Sequence, residues 1–463
     1  MFYKLFFSAF FLLIWAQHPA MASDPHRLSA DSSESKLGLE LKKGEFEFHV
    51  RNFYMQTHNQ GPLLNYATLA SGAGMGYYSP SWKGFHVGFS GFFVFQAFQH
   101  NIYKPDPTTQ NVNRYEILLY DMNDYTNRRD LDRLEELYIH YESNRWRVYW
   151  GRHHFNSPLL NEQDNRMRPN IFSGLSAQYQ YHNTQVHGAW FNAVTVRGTV
   201  DWYSISESFG VYPFGRNPFG TPSQYKGNTH SRGIAVAGVK HQSKQMLWQA
   251  WNYTAHNVFN LSMLQADWTP KRNTWKPIAG VQALYQTAVG NGGNADPLKS
   301  YILPNEKTYL IGAKAGIANQ RNEWSVNYLN IGNSGRFLFP REWGREIFYA
   351  SLPRERFEGN GALQATTIKY KKQFKLKGLS SELGASAVHV QELNNYQLNK
   401  YGIPSYYHLT ALLDYRFSGY LEGLDIKILG VYKPSQNPEK VPDELRINRV
   451  DLWHANLIID YRF

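Results

Sequence analysis

The feature that most limits how this chain can fold is a two-residue alternation of apolar and polar side chains. It recurs in segments of about ten residues, the length a tilted strand needs to cross a bilayer. The final segment shows it cleanly. Trp453, Ala455, Leu457, Ile459, Tyr461 and Phe463 share one face, and His454, Asn456, Ile458, Asp460 and Arg462 share the other. Upstream, Tyr407, Leu409, Ala411, Leu413, Tyr415 and Phe417 oppose His408, Thr410, Asp414 and Arg416, and Tyr309, Ile311, Ala313, Ala315 and Ile317 oppose Gly312 and Lys314. Charge recurs on one parity and almost never on the other. A β-sandwich also alternates, with its apolar face inward, so period alone does not choose between packed core and lipid.

Two further features choose. The apolar faces end in aromatics, as the girdles of a membrane barrel do. Connections also alternate in length: tight links at 81–84, 144, 183–184, 243–244 and 320–321 are interleaved with long segments at about 99–131, 153–172, 198–228, 288–306, 332–360 and 433–449. Short turns at one end and long loops at the other are the habit of outer-membrane barrels. The expected fold is therefore all-β, a transmembrane antiparallel barrel of about eighteen strands over 45–463, some loops folding into the lumen. Strands are expected near 45–55, 66–78, 84–98, 132–143, 145–152, 173–182, 185–197, 229–241, 245–254, 258–269, 274–287, 307–318, 322–331, 361–374, 378–391, 405–418, 422–432 and 450–463. Such a barrel is too wide for side chains to fill.

Mean hydropathy is −0.52, which by itself would describe a water-soluble chain. A narrow apolar belt over a polar lumen resolves the conflict, and the 16% aromatic content suits such a belt. The first residues read as an export signal: Lys4, the apolar run Leu5–Ala16, then Ala20-Met21-Ala22 as a cleavage pattern. Residues 1–22 are thus expected to be removed, and 23–44 to form a short periplasmic lead-in. With no cysteine there is neither a disulfide framework nor a thiolate metal site. The net charge of +11 on an exported chain points away from nucleic acid; it suits attraction of anionic solutes or lipopolysaccharide phosphates and equally an ordinary solubility charge.

No catalytic or cofactor motif is present: there is no Gly-x-Ser-x-Gly elbow, His-Glu-x-x-His or phosphate-cradling glycine loop. His153-His154 is an unpromising metal pair, because neighbours on an extended chain point opposite ways. Strand parity directs Lys314, Lys369, Lys371, Arg416, Lys427 and Arg462 inward in the second half, and Arg51, Arg145 and Arg147 in the first; Asp414, Asp425 and Asp460 are interleaved among them. Such a row would draw an anion through while each site holds it weakly.

Two loops carry recognisable sequence: Gly151–Gly174, GRHHFNSPLLNEQDNRMRPNIFSG, and Phe339–Gly359, FPREWGREIFYASLPRERFEG. Here the chain resembles the OprD family of outer-membrane porins, in whose third loop a Gly-Arg…Pro…Asp-x-Arg…Pro…Phe-x-Gly stretch occurs. A Glu-Trp-Gly-Arg-Glu…Arg-Glu-Arg…Gly stretch occurs in the seventh. The resemblance implies a monomeric or weakly associated channel for small, often carboxylate-bearing solutes, narrowed by these two loops. It implies that Asp164, Arg166, Arg341, Glu342, Arg345, Glu346, Arg354, Glu355 and Arg356 belong to the constriction. His153, His154 and Arg168 add charge to the third loop beyond the pattern, which leaves the subfamily open. The terminal Phe463 resembles the signature recognised by the outer-membrane assembly machinery. A receptor or adhesin barrel, or a barrel-embedded lipase or protease, is the competing reading; the latter needs a Ser/His or Asp/His constellation and usually fewer strands.

Overall fold

The computed structural model describes residues 44–463 except 164, 213–214 and 272–273. The expected signal at 1–22 and nearly all of the lead-in lie outside the described residues, as does Asp164. The strands are β1 (Glu45–Asn59), β2 (Tyr66–Tyr78), β3 (Phe85–His100), β4 (Arg133–Glu142), β5 (Trp146–His153), β6 (Ile171–Tyr181) and β7 (Thr184–Thr195). There follow β8 (Trp202–Ser204), β9 (Ile234–Gln242), β10 (Met246–Ala255), β11 (Phe259–Trp268), β12 (Lys276–Ala288) and β13 (Lys307–Ala318). The last are β14 (Asn322–Ile331), β15 (Gln364–Gln373), β16 (Leu379–His389), β17 (Tyr406–Arg416), β18 (Leu424–Lys433) and β19 (Leu452–Arg462).

Successive strands pair antiparallel, and β1 closes the cylinder on β19, in register from His49 opposite Arg462 to Asn59 opposite Leu452. Phe48 and Phe463 seal the seam with reciprocal backbone hydrogen bonds of 2.8 and 3.0 Å. Eighteen strands form the closed barrel. The nineteenth, β8, is a three-residue addition to β7 inside a long loop, too short for alternation to reveal.

The exposed face is the apolar one. Trp150, Leu264, Val281, Ile311 and Ile368 are each more than half exposed, while their inward neighbours Gln282, Gly312 and Thr367 are buried. Aromatic pairs edge this belt: Trp324–Tyr370 and Trp146–Tyr179 at the turn end, with ring centroids 4.3 and 4.7 Å apart, and Tyr432–Trp453 at the loop end, at 4.1 Å. Water would not tolerate so large a continuous apolar surface, and lipid requires one. Ile368→Arg, on this belt midway along β15, is expected to destabilise the barrel by about 2–4 kcal/mol in a denaturant titration from liposomes. The adjacent residue, Lys369, points instead into the lumen, where its Nζ donates to the Ser351 carbonyl.

Turns occupy one end of the barrel and the long connections the other, and the outer ends of the first and last strands, Glu45 and Arg462, lie with the turns. The long loops at 101–132, 154–170, 196–233, 289–306, 332–363, 390–405 and 434–451 fold inward. They bury a lumenal apolar cluster around Phe209, Phe259, Phe339 and Trp343, so the interior is filled by loops rather than by a separate domain.

Candidate functional site

The third loop (154–170), the fourth (196–233) and the seventh (332–363) meet in the lumen. Trp343 fixes the seventh: it is fully buried, its ring lies edge-on to Phe209 at 4.8 Å, and its Nε1 donates to Ser208 Oγ at 2.8 Å. Glu342 beside it accepts from the backbone N–H of Gly210 (3.2 Å) and Tyr212 (2.8 Å). Asn161 ties the third loop to the seventh, donating from Nδ2 to the Arg345 carbonyl at 2.8 Å and accepting from the Arg345 N–H at 3.0 Å. Gly344 sits between them; a Cβ there would lie 2.2 Å from the Leu159 carbonyl oxygen, so only glycine allows the two backbones to approach so closely.

Inward strand residues hold the rest of the seventh loop. Gln286 both donates to and accepts from Leu338 (2.6 and 2.9 Å), Thr367 donates to the Ala350 carbonyl (2.7 Å), and Lys369 Nζ donates to the Ser351 carbonyl (2.8 Å). The loop's glutamates serve the same end. Glu346 accepts from the N–H of Phe357 and Glu358 and pairs with Arg356 at 3.2 Å. Glu358 pairs with Arg341 (2.9 Å) and Lys400 (3.2 Å). Glu355 accepts from the Tyr406 hydroxyl and lies 3.0 Å from His408 Nδ1 and 4.0 Å from Lys433.

Burial alone would raise Glu355, but His408 and Lys433 hold its carboxyl down at about 2. A carboxylate so depressed contributes its clasp above the ordinary carboxylate range and loses it only as pH falls through about 2. Removing that charge at neutral pH is what opens the clasp: Glu355→Gln is expected to raise single-channel conductance at pH 7, and unchanged conductance in that variant would show that the loop is held otherwise.

These contacts border a half-open chamber of about 830 Å³, its solvent-filled mouth included, lined by Arg114, Arg166, Arg197, Arg341, Arg345, Arg354, Arg356 and Arg449 together with Lys433, against one acid, Glu355. Several of these cations take neutral oxygens as partners. Arg345 and Arg449 donate to the carbonyls of Leu352 and Tyr401, Arg166 to that of Asn165, and Arg354 to the Asn456 side-chain amide. Burial pushes Arg166 and Arg449 down to about 10, and Arg345 falls below its ordinary value through burial and the proximity of Arg356. Crowded cations of this kind gain from an anion that enters among them.

Asn165, Arg166, Arg345 and Arg354 also line a second cavity of about 680 Å³, which runs down the barrel past Lys427 to Asp460 and Arg51. The four form the throat between the two spaces. A third cavity, of about 650 Å³, lies on the other side of Arg51 and carries Glu47, Glu135, Glu136 and Glu162 with His49, His154 and Arg462.

The structure brings together all the expected loop residues that it describes except the glutamates Glu342 and Glu346, which anchor backbone instead. The strand row is dispersed. Lys427 and Arg51 border the cavity below the throat; Lys314 lies 3.6 Å from Asp267, Lys371 3.4 Å from Glu382, Arg416 3.8 Å from Asp425 and Arg462 3.8 Å from Glu47. Asp460 takes Arg51 at 2.6 Å in the same way. Lys371, Arg416, Arg462 and Arg51 thus meet a carboxylate on the neighbouring strand and Lys314 one two strands away, so their charge is spent on the wall. The chamber's cations come mainly from loops, and Arg114, Arg197 and Arg449 carry no sequence motif. Lys433 was legible, being on the same parity as Lys427.

No family model matches the chain, and no curated protein matches it. Solved structures do. Pseudomonas aeruginosa OccK9 (OpdG) superimposes with a TM-score of 0.70 at 12% identity, covering 91% of this chain and 99% of that one. Acinetobacter baumannii OccAB3 gives 0.68 at 14% identity over 91% and 99%. Pseudomonas aeruginosa OpdK, solved with vanillate, gives 0.65 at 14% identity over 91% and 99%. The fold is thus that of a porin, and these are channels rather than enzymes. The chain resembles the OprD family of outer-membrane porins across nine-tenths of its length.

Proposed function

We propose that this protein is an outer-membrane channel that passes small carboxylate-bearing solutes by passive diffusion through the arginine-lined chamber. The observation that carries the reading is the charge of that chamber: eight arginines and a lysine line it with a single glutamate. Among the described residues, Glu358 and Glu346 behind the lining pair with only Arg341 and Arg356 of the eight. Guanidinium groups bind carboxylates in bidentate fashion, and here a solute must pass several in succession. Release stays fast because Arg166, Arg345, Arg354 and Arg449 already share donors with backbone or amide oxygens. Among similar structures, the one solved with vanillate holds an aromatic carboxylate, which favours the same solute class here. Export by residues 1–22, assembly through Phe463, contact of the belt with lipid and lipopolysaccharide, and a monomeric or weakly associated state complete the proposal. Liposome swelling with amino acids, organic acids and short saccharides tests it. Monocarboxylates are expected to enter several-fold faster than uncharged sugars of equal size; a preference for saccharides would refute the solute class while leaving the channel intact.

A further inference from the structure

A second cluster of functional side chains faces the lumen at the turn end of β3 and β4, and none of its members lines the three cavities. His86 on β3 stands directly opposite His140 on β4, their rings stacked with centroids 5.3 Å apart. Glu142 follows His140 on the same inward parity. One nitrogen of each imidazole and one Glu142 oxygen lie within 4.8 Å of one another. Tyr149 stacks on the other face of His140 at 4.1 Å and an interplanar angle of 1°, which fixes the plane of that ring.

The hydrogen bonding prepares these groups for a cation. His140 is 7% exposed, and its Nε2 is buried without a hydrogen-bond partner. A neutral ring nitrogen left so is a cost that a plain aromatic stack would not explain. His86 Nδ1 lies 3.3 Å from the Ser79 carbonyl oxygen. That acceptor places the proton on Nδ1 and leaves Nε2 bare, the arrangement usual for an imidazole that ligates metal. Arg147 holds Glu142 through Oε1, at 2.8 Å from Nη2 and 3.2 Å from Nε, which orients the carboxylate and leaves its second oxygen available.

We propose that His86, His140 and Glu142 form a binding site for a first-row divalent transition cation of the Zn²⁺ class, the fourth position being open to lumenal water. Two neutral imidazoles and one carboxylate are an established three-ligand set for zinc. The donors are somewhat wider apart than the roughly 3.3 Å edge of a zinc tetrahedron. Rotation of His86 and Glu142, both only partly buried, closes the gap onto the fixed His140. The site is invisible to spacing because 53 residues separate the two histidines and only strand pairing joins them.

Calorimetric titration of the untagged, full-length barrel in detergent with ZnCl₂ tests this, heat-modifiable migration serving to show that each variant is folded. One saturable equivalent is expected. H140A should weaken it at least tenfold and E142Q several-fold, whereas H256A, at an exposed loop histidine, should leave it unchanged. Copper(II) provides a second probe: coupling to two nitrogens in the wild-type electron paramagnetic resonance spectrum should fall to one in H86A. Absence of a saturable equivalent, wild-type affinity in H140A, or unchanged nitrogen coupling in H86A would each overturn the assignment.

Discussion

Replacing Arg166, Arg345 and Arg354 together by glutamine is expected to lower the anion-to-cation permeability ratio about tenfold, in line with the concentrating effect of a charged, low-dielectric cleft. These three, with Asn165, line both the chamber and the cavity beneath it, so every solute on this route passes them. Their effect should exceed that of removing three strand cations, for a physical reason. Lys314, Lys371 and Arg416 lie within ion-pair distance of Asp267, Glu382 and Asp425, and a compensated charge contributes little field at a distance. The guanidiniums at the throat meet carbonyl and amide oxygens, so their charge remains available to a passing carboxylate. Glutamine keeps the aliphatic stem and some hydrogen bonding, so loss of charge outweighs loss of shape. The triple variant of Lys314, Lys371 and Arg416 is the control, and it should change the ratio less than twofold.

Trp343→Ala is the second large effect. The side chain is fully buried, packs on Phe209, Phe259 and Phe339, and donates to Ser208. Truncating a buried tryptophan removes about 3–5 kcal/mol, and here the loss falls on the junction of the fourth and seventh loops rather than on the barrel wall. The cylinder should therefore remain heat-modifiable while the seventh loop loosens. Mean conductance is expected to rise several-fold, with added flicker, and the discrimination between carboxylates and sugars to fall. Trp343→Phe, which keeps one aromatic ring in the packing but loses the rest of the indole and the bond to Ser208, should show a smaller change than alanine. Loss of the folded barrel in the alanine variant would mean that the loop plug is needed for assembly as well as for selectivity.

The wall of the barrel was legible in the sequence and the chamber only partly. Alternation with period two places every strand to within a few residues where lipid and lumen impose opposite demands on adjacent positions, as at Ile368 and Lys369. It is silent for β8, since three residues cannot show a period. The third and seventh loops were found through their motifs, and the structure brings Arg166, Arg341, Arg345, Arg354 and Arg356 to one cavity. Parity correctly turned Lys314 and Arg416 inward and showed carboxylates such as Asp425 interleaved among the cations, but which carboxylate meets which cation depends on a register only pairing defines. The same holds for Arg114, Arg197 and Arg449, which reach the chamber through loop paths that no local pattern encodes. His86 and His140 make the point at the opposite end of the barrel.

All of this rests on charge left uncompensated in a water-filled lumen. The zero-current potential of the wild-type protein in a planar bilayer under a potassium chloride gradient measures that most directly. The potential should lie close to the chloride equilibrium potential and move toward zero in the Arg166, Arg345 and Arg354 triple glutamine variant. A wild-type value near the potassium equilibrium potential would contradict the account.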